Sequence, residues 1–185
     1  METKTLLDEL KAMVRHHREE GRRFEALPDE ILQYKPEPTV WNVLECVEHL
    51  NRYAEVYHPA IEKQIGKVDA APTKTFKPGF LGGRLAKSML PGGKKVRTFM
   101  KMNPGGQEVG REVLDRFVAE RDRLEQLLDA AEKVDLNAVG VPISVSRWVK
   151  IRLGDALRLV IYHDQRHIEQ VQRAVERARK DARNG

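Results

Sequence analysis

Trp41-Asn42-Val43-Leu44-Glu45-Cys46-Val47-Glu48-His49-Leu50 and Tyr162-His163-Asp164-Gln165-Arg166-His167-Ile168-Glu169-Gln170 are the two stretches on which the fold turns. In the first, Asn42 has the short polar side chain of a helix N-cap. Glu45, three positions on, completes a capping box, and Trp41 and Cys46 stand at the spacing of a hydrophobic staple. The helix so started predicts a span of about Val43 to Ile65, stopped by Gly66. Pro59 inside it removes one backbone donor and predicts a kink or a shortening. In the second stretch, His163 and His167 are four residues apart and share one helix face. Leu157, Val160, Ile168, Val171 and Val175 form the apolar stripe of a helix from about Gly154 to Lys180, with Asp155 at its positive start.

Two more amphipathic helices follow from the same periodicity. Leu6, Leu10, Met13, Val14 and Phe24 mark one over residues 3–25, and Val113, Leu114, Phe117, Leu124, Leu127, Leu128 and Ala131 mark one from about Gln107 to Glu132. Four such helices with no convincing alternating strand predict an all-α, four-helix bundle. Residues 71–106 are rich in Gly and Pro and read as a long loop with at most a short helix near Arg84 to Met89. Residues Val134 to Arg152 read as a second irregular connection. Residues 1–185 are expected to form one domain, with the C-terminal residues from about 179 frayed.

Composition narrows the chemistry. No stretch approaches the roughly 18 uninterrupted apolar residues of a membrane span. The start lacks a basic-then-apolar signal, so a cytoplasmic protein is expected. The lone Cys46 excludes an internal disulfide and a cysteine cage for zinc. Any metal must rely on histidine and carboxylate. The formal charge of +5 is uneven, because residues 70–107 hold eight Lys or Arg and no acidic residue. Such a basic segment attracts anions, or it is a solvated loop that keeps the protein soluble.

Two imidazoles on one helix face reach a single ion, and a third ligand must come from elsewhere. His49, at the edge of its own stripe, is the best candidate. By spacing alone the His-x3-His pair, with Asp164, Arg166 and Glu169 around it, is equally well a charged surface patch, and His49 shifts the balance only modestly. Imidazole ligands suit zinc, nickel, iron or copper without choosing among them.

The combined pattern resembles the DinB-like family of metal-binding four-helix bundles. The resemblance rests on Trp41-Asn42, on Glu45 to Leu50, and on His163 to Gln170, with smaller echoes in Lys101-Met102-Asn103-Pro104 and Val134-Asp135-Leu136-Asn137. It implies that His49, His163 and His167 bind one divalent ion, zinc, nickel or iron. It also implies an enzyme that activates water or a low-molecular-weight thiol cosubstrate for hydrolysis or transfer on a small electrophilic substrate. By position alone, Gln170, one turn after His167, could orient a ligand from behind, and Asp164 could hydrogen-bond a ligand histidine or simply be solvated. Two other readings stay open: a non-catalytic binding or stress-response module stapled by the metal, and a binder of nucleic acid or of an anionic surface through residues 74–101.

Further candidates each have a plainer alternative. Tyr53, one turn after His49, could donate a proton, or it could simply pack. Lys94, Lys95 and Arg97 could meet the carboxylates of an anionic substrate or thiol. Cys46 could ligate or attack, although its staple position favours a buried, inert thiol. His17 could line the cavity, although a hydrogen-bonded core histidine fits better; His16 and His58 read as surface or kink residues. Phe80 and Trp148 could cover the site. Phe76, Phe80 and Phe99 are the only stacking candidates in the basic segment, which ranks nucleic acid low. The expected partner is a small-molecule substrate, without nucleic acid or membrane, and a homodimer fits an exposed helical seam.

Overall fold

The computed structural model of the protein describes residues 1–92 and 100–184. It is mostly helical, and the four long helices lie where apolar periodicity places them. Helix α1 spans Thr3–Glu25, and a one-turn helix α2 spans Asp29–Leu32. Helix α3 covers Val43–Ile65. Helix α4 covers Phe80–Ser88, inside the expected loop. A 3₁₀ turn at Met100–Met102 precedes α5, Glu112–Ala131, and the chain ends in α6, Leu153–Asn184.

Helix α1 packs on α5, α5 on α3, α3 on α6, and α6 returns to α1. The stripes meet in two apolar clusters. One gathers Leu10, Ile61, Leu124, Leu128, Leu157 and Ile161, and the other Phe24, Val47, Leu50, Phe117, Ile168 and Val171. Each such side chain removed from water contributes about 1.5–3 kcal/mol. The capping box is present as expected: Glu45 N–H donates to Asn42 Oδ1 at 2.8 Å, and Asn42 N–H donates to Glu45 Oε2 at 3.0 Å.

Several boundaries differ from the sequence reading. Helix α3 runs through Pro59 without shortening, because the proline is on the exposed side while Tyr57, His58 and Ile61 beside it are anchored in the core. Helix α5 starts five residues later than expected, since Gly105, Gly106 and Gly110 keep the preceding segment irregular. Helix α6 is helical through Asn184.

The connection before α6 is not irregular. It is an antiparallel hairpin of β1, Val139–Ile143, and β2, Ser146–Arg152, with register shifts on either side of the Val141–Pro142 pairs. Val141 and Ile151 are buried, and the hairpin packs on α3 and α6. Pro142, which donates no hydrogen bond, and the shifted register mask its alternation. Helix α4 is fixed by α6: Gly79 N–H donates to Asp155 Oδ2 at 2.7 Å, and a Cβ on Gly82 would come within 2.6 Å of that carboxylate. Phe76, expected as a stacking candidate, is instead fully buried in the core.

Candidate metal centre

Helix α3 contributes His49, and α6 contributes His163 and His167 one turn apart. One nitrogen of each of the three rings lies within 4.8 Å of the others. The ring centroids are 5.1 Å apart for His49 and His163, 4.7 Å for His49 and His167, and 4.5 Å for His163 and His167. His49 and His163 are buried and His167 is half-buried.

Hydrogen bonding fixes which nitrogens converge. His49 Nδ1 lies 2.6 Å from the Met102 carbonyl, which only accepts, so Nδ1 carries the proton and Nε2 keeps its lone pair. That Nε2 lies 3.3 Å from His163 Nε2. His167 Nδ1 donates to Gln170 Oε1 at 3.1 Å, which frees its Nε2 in the same way. Burial lowers the affinity of all three for protons: His49 titrates at about 4 and His167 at about 3. His163 is also held well below its ordinary value, by burial first and then by its histidine neighbours. At neutral pH the cluster is therefore three uncharged imidazoles, the protonation state a metal requires.

The surrounding side chains close the site. The Trp41 ring is 4.9 Å from His49 and 6.3 Å from His167, and the Tyr53 ring is 4.2 Å from His163. Burial raises the Tyr53 phenol, so it keeps its proton near neutrality and can donate. The Met102 segment is tied to the start of α3, where Gly106 N–H donates to Glu45 Oε1 at 3.2 Å. Gly106 turns there with φ of 78°, a conformation that disfavours other residues.

The remaining candidates do not join the three converging nitrogens. Asp164 lies against Arg121, 3.1 Å away, and both are buried. Cys46 Sγ is 3.7 Å from His167 Nδ1, and burial pushes its thiol up to about 12, so it remains a thiol. His17 is a fully buried core residue bonded through Nε2 to Gln165 Oε1 at 2.9 Å. His58, expected at the surface or in a kink, is also fully buried, with Nδ1 2.6 Å from Glu120 Oε2. Phe80 and Trp148 are exposed. Lys94, Lys95, Arg97 and Phe99 lie outside the described residues.

Sequence reasoning did not assign Met102, Trp41 or Arg121 to these roles. The first two stand in stretches that carry the family resemblance, so a signal existed. Met102 acts through its backbone, which side-chain identity does not reveal.

These features define a mostly helical protein with a buried cluster of three neutral histidines able to hold a metal ion. The DinB superfamily model matches residues 8–171, and the chain belongs to that superfamily. Comparison with curated proteins and with solved structures returned no match.

Proposed function

We propose that the chain is a metal-dependent enzyme in which His49, His163 and His167 hold one divalent ion, zinc, nickel or iron, through their Nε2 atoms. The observation that carries this reading is the convergence of three uncharged imidazoles, two of them with Nδ1 already committed to an acceptor. Neutral ligands leave a bound ion its full charge, with which it acidifies a water or stabilises a thiolate for attack on a small electrophile. The protein's own contributions are positional. Met102 and Gln170 orient two of the rings, the Trp41 and Tyr53 rings pack against the cluster, and the Tyr53 phenol is the candidate proton donor.

We read the closed ring of α1, α5, α3 and α6 as the family's four-helix bundle. The lone, buried Cys46 fits a cytoplasmic setting. Among the described residues, no helix is long and apolar enough to cross a membrane. The preferred partner is a small molecule, with a low-molecular-weight thiol as cosubstrate. One observation favours a second reading: the cluster joins α3 to α6, so an ion there would also staple the fold.

Elemental mass spectrometry of protein purified without a tag or added metal tests the proposal. About one ion per chain, absent from His163→Ala, supports it. Protein that stays empty after reconstitution with zinc, nickel and iron overturns it. Loss of turnover with an unchanged melting temperature in His163→Ala favours the enzyme, whereas a fall in melting temperature alone favours the staple.

A further inference from the structure

Positive charge and exposed apolar surface coincide on two segments that the fold brings together. Residues 70–107 and 138–154 contain no Asp or Glu. Helix α4 from the first packs on β2 from the second, and Arg152 donates to the Lys77 carbonyl. Lys77, Arg84, Lys87, Lys101, Arg147 and Lys150 are exposed, and among the described residues none of them takes part in an ion pair. Elsewhere, cations such as Arg18, Arg52, Arg111 and Arg116 each meet a carboxylate. Among the described residues the six cations therefore stand without a carboxylate partner, while Asp135 and Asp155 compensate only Arg152 at the inner edge of these segments.

The same segments carry seven of the ten large apolar side chains exposed among the described residues. Phe80 is 86% exposed, Met100 90% and Trp148 82%. Helix α4 sets its small residues Gly82, Gly83 and Ala86 inward and turns Phe80, Leu81, Arg84 and Lys87 outward. Two of the rings have a guanidinium of their own: Arg84 lies 5.7 Å from the Phe80 ring and Arg147 5.2 Å from the Trp148 ring.

We propose that this surface docks the protein peripherally on an anionic phospholipid bilayer. Lipid satisfies both halves of the pattern, because headgroup phosphates meet the cations while rings and aliphatic side chains enter the acyl boundary. The paired arginines suit this depth, with the ring below and the guanidinium at phosphate level. Nucleic acid would use the charge and could stack the rings, but it leaves aliphatic Leu81 and Met100 in water. The inference is independent of the metal reading.

Co-sedimentation of the full chain with vesicles of phosphatidylcholine alone, and with about one third phosphatidylglycerol, tests it. Binding is expected only to the anionic vesicles, with a blue shift in tryptophan emission that Trp148→Phe removes. Each cation near such a surface adds about fivefold, so the double variant Arg84→Ser and Lys87→Ser should bind about thirtyfold more weakly. Phe80→Ser with Trp148→Ser should weaken binding while circular dichroism stays unchanged. No preference for anionic over neutral vesicles overturns the proposal. So does capture of a single-stranded oligonucleotide without vesicle binding, which would assign the surface to nucleic acid. A patch-dependent dimer in analytical ultracentrifugation that ignores vesicles also overturns it and assigns the surface to a second copy of the chain.

Discussion

Arg121 of α5 and Asp164 of α6 lie 3.1 Å apart in the helical core, both almost wholly shielded from water, and Asp164 directly follows His163 in the chain. Arg121 also lies 4.2 Å over the Phe117 ring. Burial outweighs the guanidinium and pushes the Asp164 carboxyl up to about 6, so the acid is mostly ionised at neutral pH and its charge depends on Arg121.

Removing one partner should therefore cost more than removing both. Arg121→Met strands a buried carboxylate and should cost about 3 kcal/mol in urea unfolding, while Arg121→Met with Asp164→Leu should recover much of that. Equal losses in the single and double variants would show that packing, not charge, sets the cost.

Acid should destabilise the metal-free protein. His17 is buried and uncharged and titrates at about 3 when folded, mainly because of burial, against an ordinary 6.5. A lowered folded value means that the unfolded chain binds more protons, so the stability is fully present above pH 6.5 and is lost progressively as pH falls from 6.5 toward about 3. Between pH 7 and pH 5 this residue alone should cost about 2 kcal/mol. Chelated wild type compared with His17→Gln in pH-resolved unfolding should show the shallower profile in the variant.

Gln170 holds His167 Nδ1 at 3.1 Å. Gln170→Leu should weaken metal affinity by about 10- to 100-fold in chelator competition while one ion per chain still binds at saturation. Unchanged affinity would show that His167 orients without this acceptor.

Gly82→Ala places a methyl group within 2.6 Å of Asp155. Helix α4 must then lift from α6 or Asp155 must give up Gly79, at a cost of about 1–3 kcal/mol. Faster amide exchange over residues 79–90, with the α3 and α6 cores unaffected, is the expected signature.

What the sequence made legible follows what its residues do locally. Asn42 and Glu45 set the start of α3 within a few residues of themselves, and the apolar stripes set the four long helices. The His-x3-His spacing placed two rings on one face, but only packing brings His49 to them. The β-hairpin escaped because Pro142 and its shifted register break the alternation. Arg121 was overlooked although it falls on the stripe of Phe117, Leu124 and Leu128, where a charge at an apolar position signals a buried partner. His58 was misplaced because Pro59 draws attention to the backbone, while a carboxylate 62 residues away holds the ring.

The bond from His49 Nδ1 to the Met102 carbonyl makes this imidazole a relay between two parts of the chain. An ion held at Nε2 would polarise the ring, and His49 would then hold the Met102 carbonyl more tightly through its Nδ1 proton. Met100, Lys101 and Met102 share one 3₁₀ turn, so an ion held at Nε2 would brace that turn through the ring. The same ring would thus be both a ligand on one edge and a clasp, on the other, for a carbonyl 53 residues away.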